Sequence, residues 1–278
     1  MSVEGFSHLP SVSLAEVNRQ ARLLTRVDRK YLLRLDVESD ARALGDMLPF
    51  LLEKGGARLE IDGTLASRYR STYLETPDNV SLTGAATGAG NRFKVRLREY
   101  LDSGEAFMEV KTRLGSETVK RRVHFSEPGA DEPVLERTQR VSAFVRDEVL
   151  AAGGLDNAEQ VRTLRKCVEV QYSRATLLLP GDAARVTIDT DLTARLLGPW
   201  RDKAKRQAIG YKGLVVLETK TAPGAGSVVD DFLSAREIHP VRFSKYATSR
   251  VLLDSWGLRK RWKQTVKGYG LKQITRGK

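Results

Sequence analysis

Apolar and charged residues alternate along several stretches of the chain, and this alternation predicts β-strands. In residues 92–100, Phe93, Val95 and Leu97 are separated by arginine and lysine residues. Because successive side chains of a strand point to opposite faces, such a strand has one apolar face and one charged face. The stretches that share this pattern are 25–33, 92–100, 105–113, 117–125, 167–179, 184–192 and 214–221. A further β-like run covers 66–76.

The segments between these strands contain apolar residues at helical spacing. Ser13 is expected to cap a short first helix, and Asp36 is expected to cap the second. The longer predicted helices cover roughly 37–53, 131–152, 227–236 and 244–256. Residues 84–91 are mostly glycine and alanine, so we expect a loop there.

The strands and helices follow one another without an internal repeat or a clear linker. The simplest account is one α+β domain over residues 1–278, with a core at about 20–255 and a basic tail at 257–278. Two arrangements fit the alternation equally well. One is an antiparallel sheet with a solvated face, and the other is a closed barrel with a charged interior and helices outside.

The charged strand faces are mostly cationic, in keeping with the composition of the whole chain. The 278 residues include 47 Lys and Arg against 35 Asp and Glu, a net charge of +12. Lysines and arginines on one surface repel one another unless an anion lies among them. The sequence therefore predicts an anionic partner, which could be a nucleic acid, a membrane surface or a small molecule rich in phosphate.

Other features of the composition exclude several classes of protein. No apolar run approaches the length of about 18 residues that a membrane span needs, and the N-terminus does not resemble a secretion signal. The single cysteine, Cys167, cannot form an internal disulfide, which fits a cytoplasmic location. The three histidines are scattered, which argues against a histidine metal site.

Nine short motifs occur in order along the chain. They are R-x-D-x-K-Y (26–31), YRSTYLET (69–76), K-x-R-x-R (94–98), EVK (109–111), K-x-R (120–122), YSR (172–174), RVTID (185–189), LETK (217–220) and FSKY (243–246). In this series the chain resembles the VTC domain, the catalytic domain of the vacuolar transporter chaperone, in its bacterial stand-alone form. That domain belongs to the triphosphate tunnel metalloenzymes, or CYTH-like superfamily.

The resemblance implies a fold and an activity. The fold is an eight-stranded antiparallel β-barrel tunnel with helices packed outside. The activity is that of a polyphosphate polymerase, which transfers the terminal phosphoryl group of a nucleoside triphosphate onto a growing polyphosphate chain. The implied cofactor is Mn²⁺ or Mg²⁺, and the implied partners are a nucleoside triphosphate and inorganic polyphosphate, with no nucleic acid and no transmembrane segment.

The same motifs imply a set of site residues. Catalytic roles fall on Lys30, Arg96, Arg98 and Lys245. Phosphate-binding roles fall on Lys94, Lys111, Lys120, Arg122, Arg174, Arg185, Lys220, Arg242 and Ser244. The metal ligand is Glu218, and Glu109, Asp28 and Asp189 are further candidates. For these three, salt bridges that hold the lysines and arginines in place are the preferred interpretation. Tyr31 or Tyr73 is a candidate for contact with the nucleotide.

Three further functions are compatible with the sequence. Tunnel hydrolases of the superfamily begin with a glutamate-rich E-x-E-x-K strand, whereas this chain has Arg26, Asp28 and Lys30. That departure favours the polymerase over the first of these functions, that of a metal-dependent triphosphate or polyphosphate hydrolase. The second is that of a non-catalytic polyphosphate-binding protein, and the third is that of a nucleic-acid-binding protein. The sequence has no nucleic-acid-binding motif to support the third.

Overall fold

The structure is a computed structural model of the chain. It describes residues 3–20, 26–115, 117–126, 134–202, 208–254, 265–266, 268–269 and 271. Most of the predicted basic tail at 257–278 lies outside the described residues. In the described part, no helix is both long enough and apolar enough to cross a membrane.

Strands and helices alternate along the chain, and short 3₁₀ turns cover Val3–His8 and Pro180–Asp182. The strands are β1 (Ser11–Val12), β2 (Val27–Arg34), β3 (Ala57–Leu59), β4 (Ala66–Glu75), β5 (Arg92–Tyr100), β6 (Ala106–Leu114), β7 (Glu117–Ser126), β8 (Arg165–Leu179), β9 (Ala184–Leu196), β10 (Ala208–Gly210) and β11 (Leu214–Thr221). The helices are α1 (Leu14–Gln20), α2 (Glu38–Glu53), α3 (Val80–Thr87), α4 (Val134–Ala151), α5 (Ala158–Arg162), α6 (Pro199–Asp202), α7 (Val228–Ser234) and α8 (Lys245–Asp254).

Eight long strands form one continuous path of antiparallel pairs in the order β2-β11-β9-β8-β4-β5-β6-β7. These are the strands that the alternation predicted, so the α+β class and the eight antiparallel strands are confirmed. The term barrel applies only loosely. Among the described residues, the two end strands β2 and β7 are not hydrogen-bonded to each other, so the sheet is open along that seam.

The sheet curls, and its charged face becomes the inner face. Side chains from both end strands, Lys30 of β2 and Lys120 of β7, line the same cavity. Register shifts between Tyr73 and Leu74, between Ala106 and Phe107, and within β8 and β9 interrupt the ladders. Such irregularities bend and twist strands locally. The structure lies between the two arrangements left open by the sequence, because the sheet is not closed but curls around a cationic cavity.

Helices cover the apolar outer face, as predicted. Leu33 of β2 and Val186 of β9 belong to a core that also contains Met47 of α2 and Phe232 of α7. Elsewhere on the same outer face, strands β5 and β6 pack against α4 and α5 in a separate core. Burial of these apolar faces is the main term that stabilises the curled sheet.

Helix α8 packs on the inner side of the sheet. Leu32 and Val216 lie on the same strand faces as Lys30 and Glu218, yet they are buried in a core with Tyr246 and other residues of α8. The inner face is therefore apolar at one end and cationic further along. Helix α8 closes the apolar end and meets the charged part at its first residue.

Two local predictions are wrong. Asp36 does not cap α2, because Val37 occupies the cap position without a side-chain bond and Asp36 pairs with Arg34. The expected loop at 84–91 is partly helical, since α3 continues to Thr87. By contrast, the Ser13 side chain accepts a bond from the backbone N–H of Glu16 at 3.2 Å, so the predicted first cap is confirmed.

We predict that Gly154→Ala destabilises the fold, because the added methyl group would collide with the ring of Phe93. Phe93 is 1% exposed within the core under α4 and cannot move aside freely. Overpacking of this kind costs about 1–3 kcal/mol of unfolding free energy, measurable by urea denaturation. Gly181→Ala is the matched control, since its methyl group would meet no atom within 4 Å. Equal stability of the two variants would contradict the prediction.

Candidate active site

The inner face of the sheet and the start of α8 enclose a cavity of about 240 Å³. Its lining contains ten basic residues and three acidic ones. The basic residues are Arg26, Lys30, Lys94, Arg96, Arg98, Lys111, Lys120, Arg174, Lys220 and Lys245, and the acidic residues are Asp28, Glu109 and Glu218. Such an excess of positive charge in a partly enclosed space focuses the field and favours an anionic ligand.

Most of the residues that the sequence singled out meet in this cavity. They are Asp28, Lys30, Lys94, Arg96, Arg98, Glu109, Lys111, Lys120, Arg174, Glu218, Lys220, Ser244 and Lys245. They come from β2, β5, β6, β7, β8, β11 and the segment that leads into α8. Their roles remain predictions. Those on the strands converge because they lie on the inner faces of paired strands.

Four predicted residues do not line the cavity. Arg122 is exposed, with its guanidinium 4.3 Å from the ring centroid of Phe107. Arg242 is also exposed. Arg185 reaches the end of α1, where it donates to the Asn18 side chain at 3.3 Å. Asp189 is fully buried beneath two residues that line the cavity, Arg174 and Lys245, with which it pairs.

Four residues line the cavity without a phosphate or metal role predicted from the sequence, namely Arg26, Tyr73, Tyr172 and Phe243. Strand alternation could have found Arg26, which has the same parity as Asp28 and Lys30. The motifs suggest Tyr73 only as a contact of the nucleotide. The second nucleotide candidate, Tyr31, points to the outer side and donates to Asp230 at 2.8 Å.

Glu109 holds the cations of β5 and β7 in place. Its carboxylate accepts from Arg96 Nε at 2.7 Å and lies 2.5 Å from Lys120 Nζ and 3.9 Å from Arg98 Nε. Burial alone would raise the pKa of Glu109, but the positive charges of these three partners lower it overall. Glu109 is therefore a permanent anion that fixes three positive groups in one geometry.

Two tyrosine hydroxyls also bind the arginines that Glu109 holds. Arg96 donates to the Tyr73 hydroxyl at 3.3 Å, and Arg98 donates to the Tyr172 hydroxyl at 3.0 Å. An arginine bound on two sides loses less side-chain freedom when a ligand arrives. The guanidinium groups are in this sense preorganised for an anion.

Asp189 holds the cations of β8 and α8 in place, as Glu109 does for those of β5 and β7. Its buried carboxylate accepts from Arg174 Nη2 at 2.8 Å and also from Lys245 Nζ. Burial opposes ionisation of Asp189, but Arg174 and Lys245 lower its pKa. The motifs suggest Asp189 as a metal ligand, and the structure places it between two cations with no exposed surface.

A buried polar network fixes the position of α8, and thereby of Lys245. Tyr246 donates to Glu75, whose carboxylate also accepts from the backbone N–H of Leu82 in the first turn of α3 at 2.9 Å. Arg250, fully buried one turn further along α8, donates to Asn79 at 2.8 Å. Breaking such a network would leave a buried polar group without its partner, so the helix is tightly held.

Glu218 lies between two lysines. Lys30 Nζ is 2.8 Å from one carboxylate oxygen and Lys220 Nζ is 3.0 Å from the other. Burial disfavours its charge, but Lys220 and Lys30 lower its pKa well below the usual value. Asp28 is a diagonal neighbour of Glu218 on the paired strand β2, at a Cα separation of about 7–8 Å.

These two carboxylates fit a divalent ion only in part. Within the described ranges, no three His, Cys, Asp or Glu residues converge as a complete set of ligands. Mg²⁺ is commonly held by one or two carboxylates together with phosphate oxygens of a substrate. Glu218 and Asp28 match that mode, because both are hard oxygen donors that face a cavity lined by cations.

Burial lowers the pKa of several cavity lysines towards neutral pH. Burial, with the charges of Lys111 and Lys30, lowers the pKa of Lys94 to about 7. Burial also lowers the pKa of Lys120 and that of Lys220 to about 8, although Glu109 and Glu218 oppose the change. An anion in the cavity would stabilise the protonated form of each lysine.

Lys94 should therefore make stability depend on pH. Between about pH 7 and 10 the unfolded chain holds a proton on this lysine that the folded chain has lost, so the free energy of unfolding rises with pH. Lys94→Met removes this contribution. We expect the stability of the wild type relative to the variant to increase by up to about 1 kcal/mol per pH unit across that window, measured by urea denaturation. A constant difference would contradict this assignment, and Lys54→Met, on an exposed lysine after α2, is the control.

We compared the chain with known proteins. No curated protein sequence gives a significant match. Among solved structures, a candidate adenylate cyclase from Bacillus halodurans is 13% identical with a TM-score of 0.44, covering 79% of this chain and 93% of that one. A candidate adenylyl cyclase from Hippeastrum, described as having a dominant triphosphatase activity, is 15% identical with a TM-score of 0.47, covering 81% and 95%.

These structural similarities are too low to support a conclusion about activity. The family assignment comes instead from the sequence, because a model of the VTC domain matches residues 18–253. The match spans all eight strands of the curled sheet and most of α8. The chain therefore belongs to the VTC domain family.

Proposed function

We propose that this protein is a polyphosphate polymerase that uses a nucleoside triphosphate as phosphoryl donor. The observation that carries the proposal is the cavity lining, in which ten cations surround three carboxylates. A triphosphate carries about three to four negative charges and a polyphosphate about one per phosphate, so either would neutralise part of this excess. The family to which the chain belongs supports a triphosphate ligand.

Transfer of a phosphoryl group requires little covalent chemistry from the protein. The terminal P–O bond of the donor breaks, a new P–O bond forms to the terminal oxygen of the chain, and the nucleoside diphosphate leaves. Catalysis depends on alignment of the two phosphates and on stabilisation of the charge that spreads over the transferred group. Arg96, Arg98 and Lys245, held by Glu109 and Asp189, are placed to supply both.

The state of the carboxylates favours transfer over hydrolysis. Activation of water benefits from a general base with a pKa near the working pH. Glu109 and Glu218 both face the cavity, but neighbouring cations lower the pKa of each, which makes them weak bases. A phosphate acceptor is already ionised at neutral pH and needs no such base.

Glu218 and Asp28 would hold the divalent ion together with phosphate oxygens of the substrate. Such an ion would supply neutralisation of the charge on the phosphates. The lysines that now pair with Glu218, Lys30 and Lys220, would then be available to the phosphate chain itself.

Incubation with ATP and Mn²⁺ tests the reaction directly. We expect ADP together with phosphate chains longer than three units, resolved on a polyacrylamide gel. Orthophosphate as the only phosphate product would identify a hydrolase of the same fold. Binding of tripolyphosphate without any product would identify a binding protein instead.

Glu218→Gln separates the role of a metal ligand from that of an ion-pair partner. We expect metal-dependent turnover to fall about 100-fold or more, because the variant loses a charged oxygen ligand. Affinity for tripolyphosphate without metal should be kept or should increase, because Lys30 and Lys220 lose a competing anion. Glu169→Gln, which removes a carboxylate paired with Arg195 outside the cavity, is the matched control. Unchanged turnover in Glu218→Gln would show that Glu218 acts only in ion pairs.

A further inference from the structure

A row of aromatic rings extends from the cavity wall towards one end of the inner face. Tyr172 stacks on Tyr69 with ring centroids 5.3 Å apart, and Tyr69 contacts Tyr100 at 5.0 Å. The row continues from Tyr100 to Phe107 at 5.8 Å and from Phe107 to His124 at 4.2 Å. These rings come from β8, β4, β5, β6 and β7, so the row crosses the curled sheet.

The row is continuous with the phosphate-binding part of the cavity. The guanidinium groups of Arg98 and Arg174, which line the cavity, each lie 5.5 Å from the ring centroid of Tyr69. Tyr172 also lines the cavity, whereas Tyr100 and Phe107 lie beyond it. We call the outer part of the row, Tyr100 and Phe107 with Arg122, the aromatic rim.

Arg122 gives the aromatic rim a second type of stacking surface. Its guanidinium lies 4.3 Å from the ring centroid of Phe107. Phe107 is itself 5% exposed and supports Arg122, which is exposed, so Tyr100 and Arg122 are the members of the rim that a base could reach. Aromatic rings and guanidinium planes are the two surfaces on which proteins most often stack nucleobases. A polyphosphate chain has no planar group that could use either surface.

The distance between the cations and the aromatic rim suits a nucleoside triphosphate. Arg96 and Tyr100 have the same parity on β5 and are four residues apart, which corresponds to about 13 Å along a strand. That length is the reach of an extended triphosphate and ribose. A donor with its phosphates near Arg96 would therefore place its base at Tyr100.

We propose that the aromatic rim binds the base of the donor nucleotide. This inference rests on the proposed function, because the base reaches the rim only if the triphosphate occupies the cavity. It also changes the predicted role of Arg122 from a phosphate ligand to a base-stacking residue.

Binding of one ligand with a nucleoside and one without tests the aromatic rim. Calorimetry compares β,γ-imido ATP with tripolyphosphate, both with Mg²⁺. In Tyr100→Leu and in Arg122→Gln, we expect about tenfold weaker binding of β,γ-imido ATP, the usual effect of losing one stacking contact. Affinity for tripolyphosphate should stay within about twofold of the wild type.

Two matched variants make the comparison sharper. Tyr100→Phe keeps the ring and should bind β,γ-imido ATP as the wild type does. Arg121→Gln removes the same charge from the other face of β7, where Arg121 pairs with Glu148 at 3.3 Å, and should alter neither affinity.

Each contrary result has a distinct meaning. Equal losses for both ligands in Arg122→Gln would return Arg122 to a phosphate-binding role and overturn the aromatic rim. Unchanged binding of β,γ-imido ATP in Tyr100→Leu would also overturn it. A wild-type protein that binds neither ligand would overturn the proposed function together with the rim. If the wild type binds tripolyphosphate, but the rim variants affect both ligands equally or neither, the rim alone is overturned.

Discussion

Mutual repulsion among the cations of one cavity is the constraint on which the rest of the structure depends. Ten basic side chains are brought together by a sheet that could not curl around them if each charge were unopposed. Three buried or nearly buried carboxylates limit that repulsion, and each is shared by at least two cations. Glu109 serves Arg96, Arg98 and Lys120, Asp189 serves Arg174 and Lys245, and Glu218 serves Lys30 and Lys220. The net charge left over is what an anionic ligand would neutralise.

The apolar parts of the structure make that arrangement possible. Helices on the outer face bury the alternate residues of the same strands, which stabilises the curl without using the inner face. Helix α8 is the exception, because it covers the apolar end of the inner face and presents Lys245 to the charged part. The bonds from Tyr246 to Glu75 and from Arg250 to Asn79 therefore fix a site residue as well as a helix.

Strand alternation and the ordered motifs predicted much of this protein from the sequence. All eight long strands were located, and thirteen of the proposed site residues line one cavity. Some predicted site residues do not line the cavity, and for these the alternation of the strands carries no further information. Alternation assigns Arg122 to the inner face but does not say whether it reaches the cavity or stacks on Phe107. Likewise, a carboxylate such as Asp189 has the same parity whether it binds a metal or two cations.

The sequence by itself determined which residues share a face, because a period of two along a strand fixes the direction of every side chain. It also determined the family, through nine motifs in order. Only the tertiary structure decided that the charged face is enclosed, that α8 closes one end of it, and that rings from five strands form a continuous row. Those features depend on strand order, on irregularities in the ladders and on contacts between residues far apart in the chain, none of which a local pattern contains.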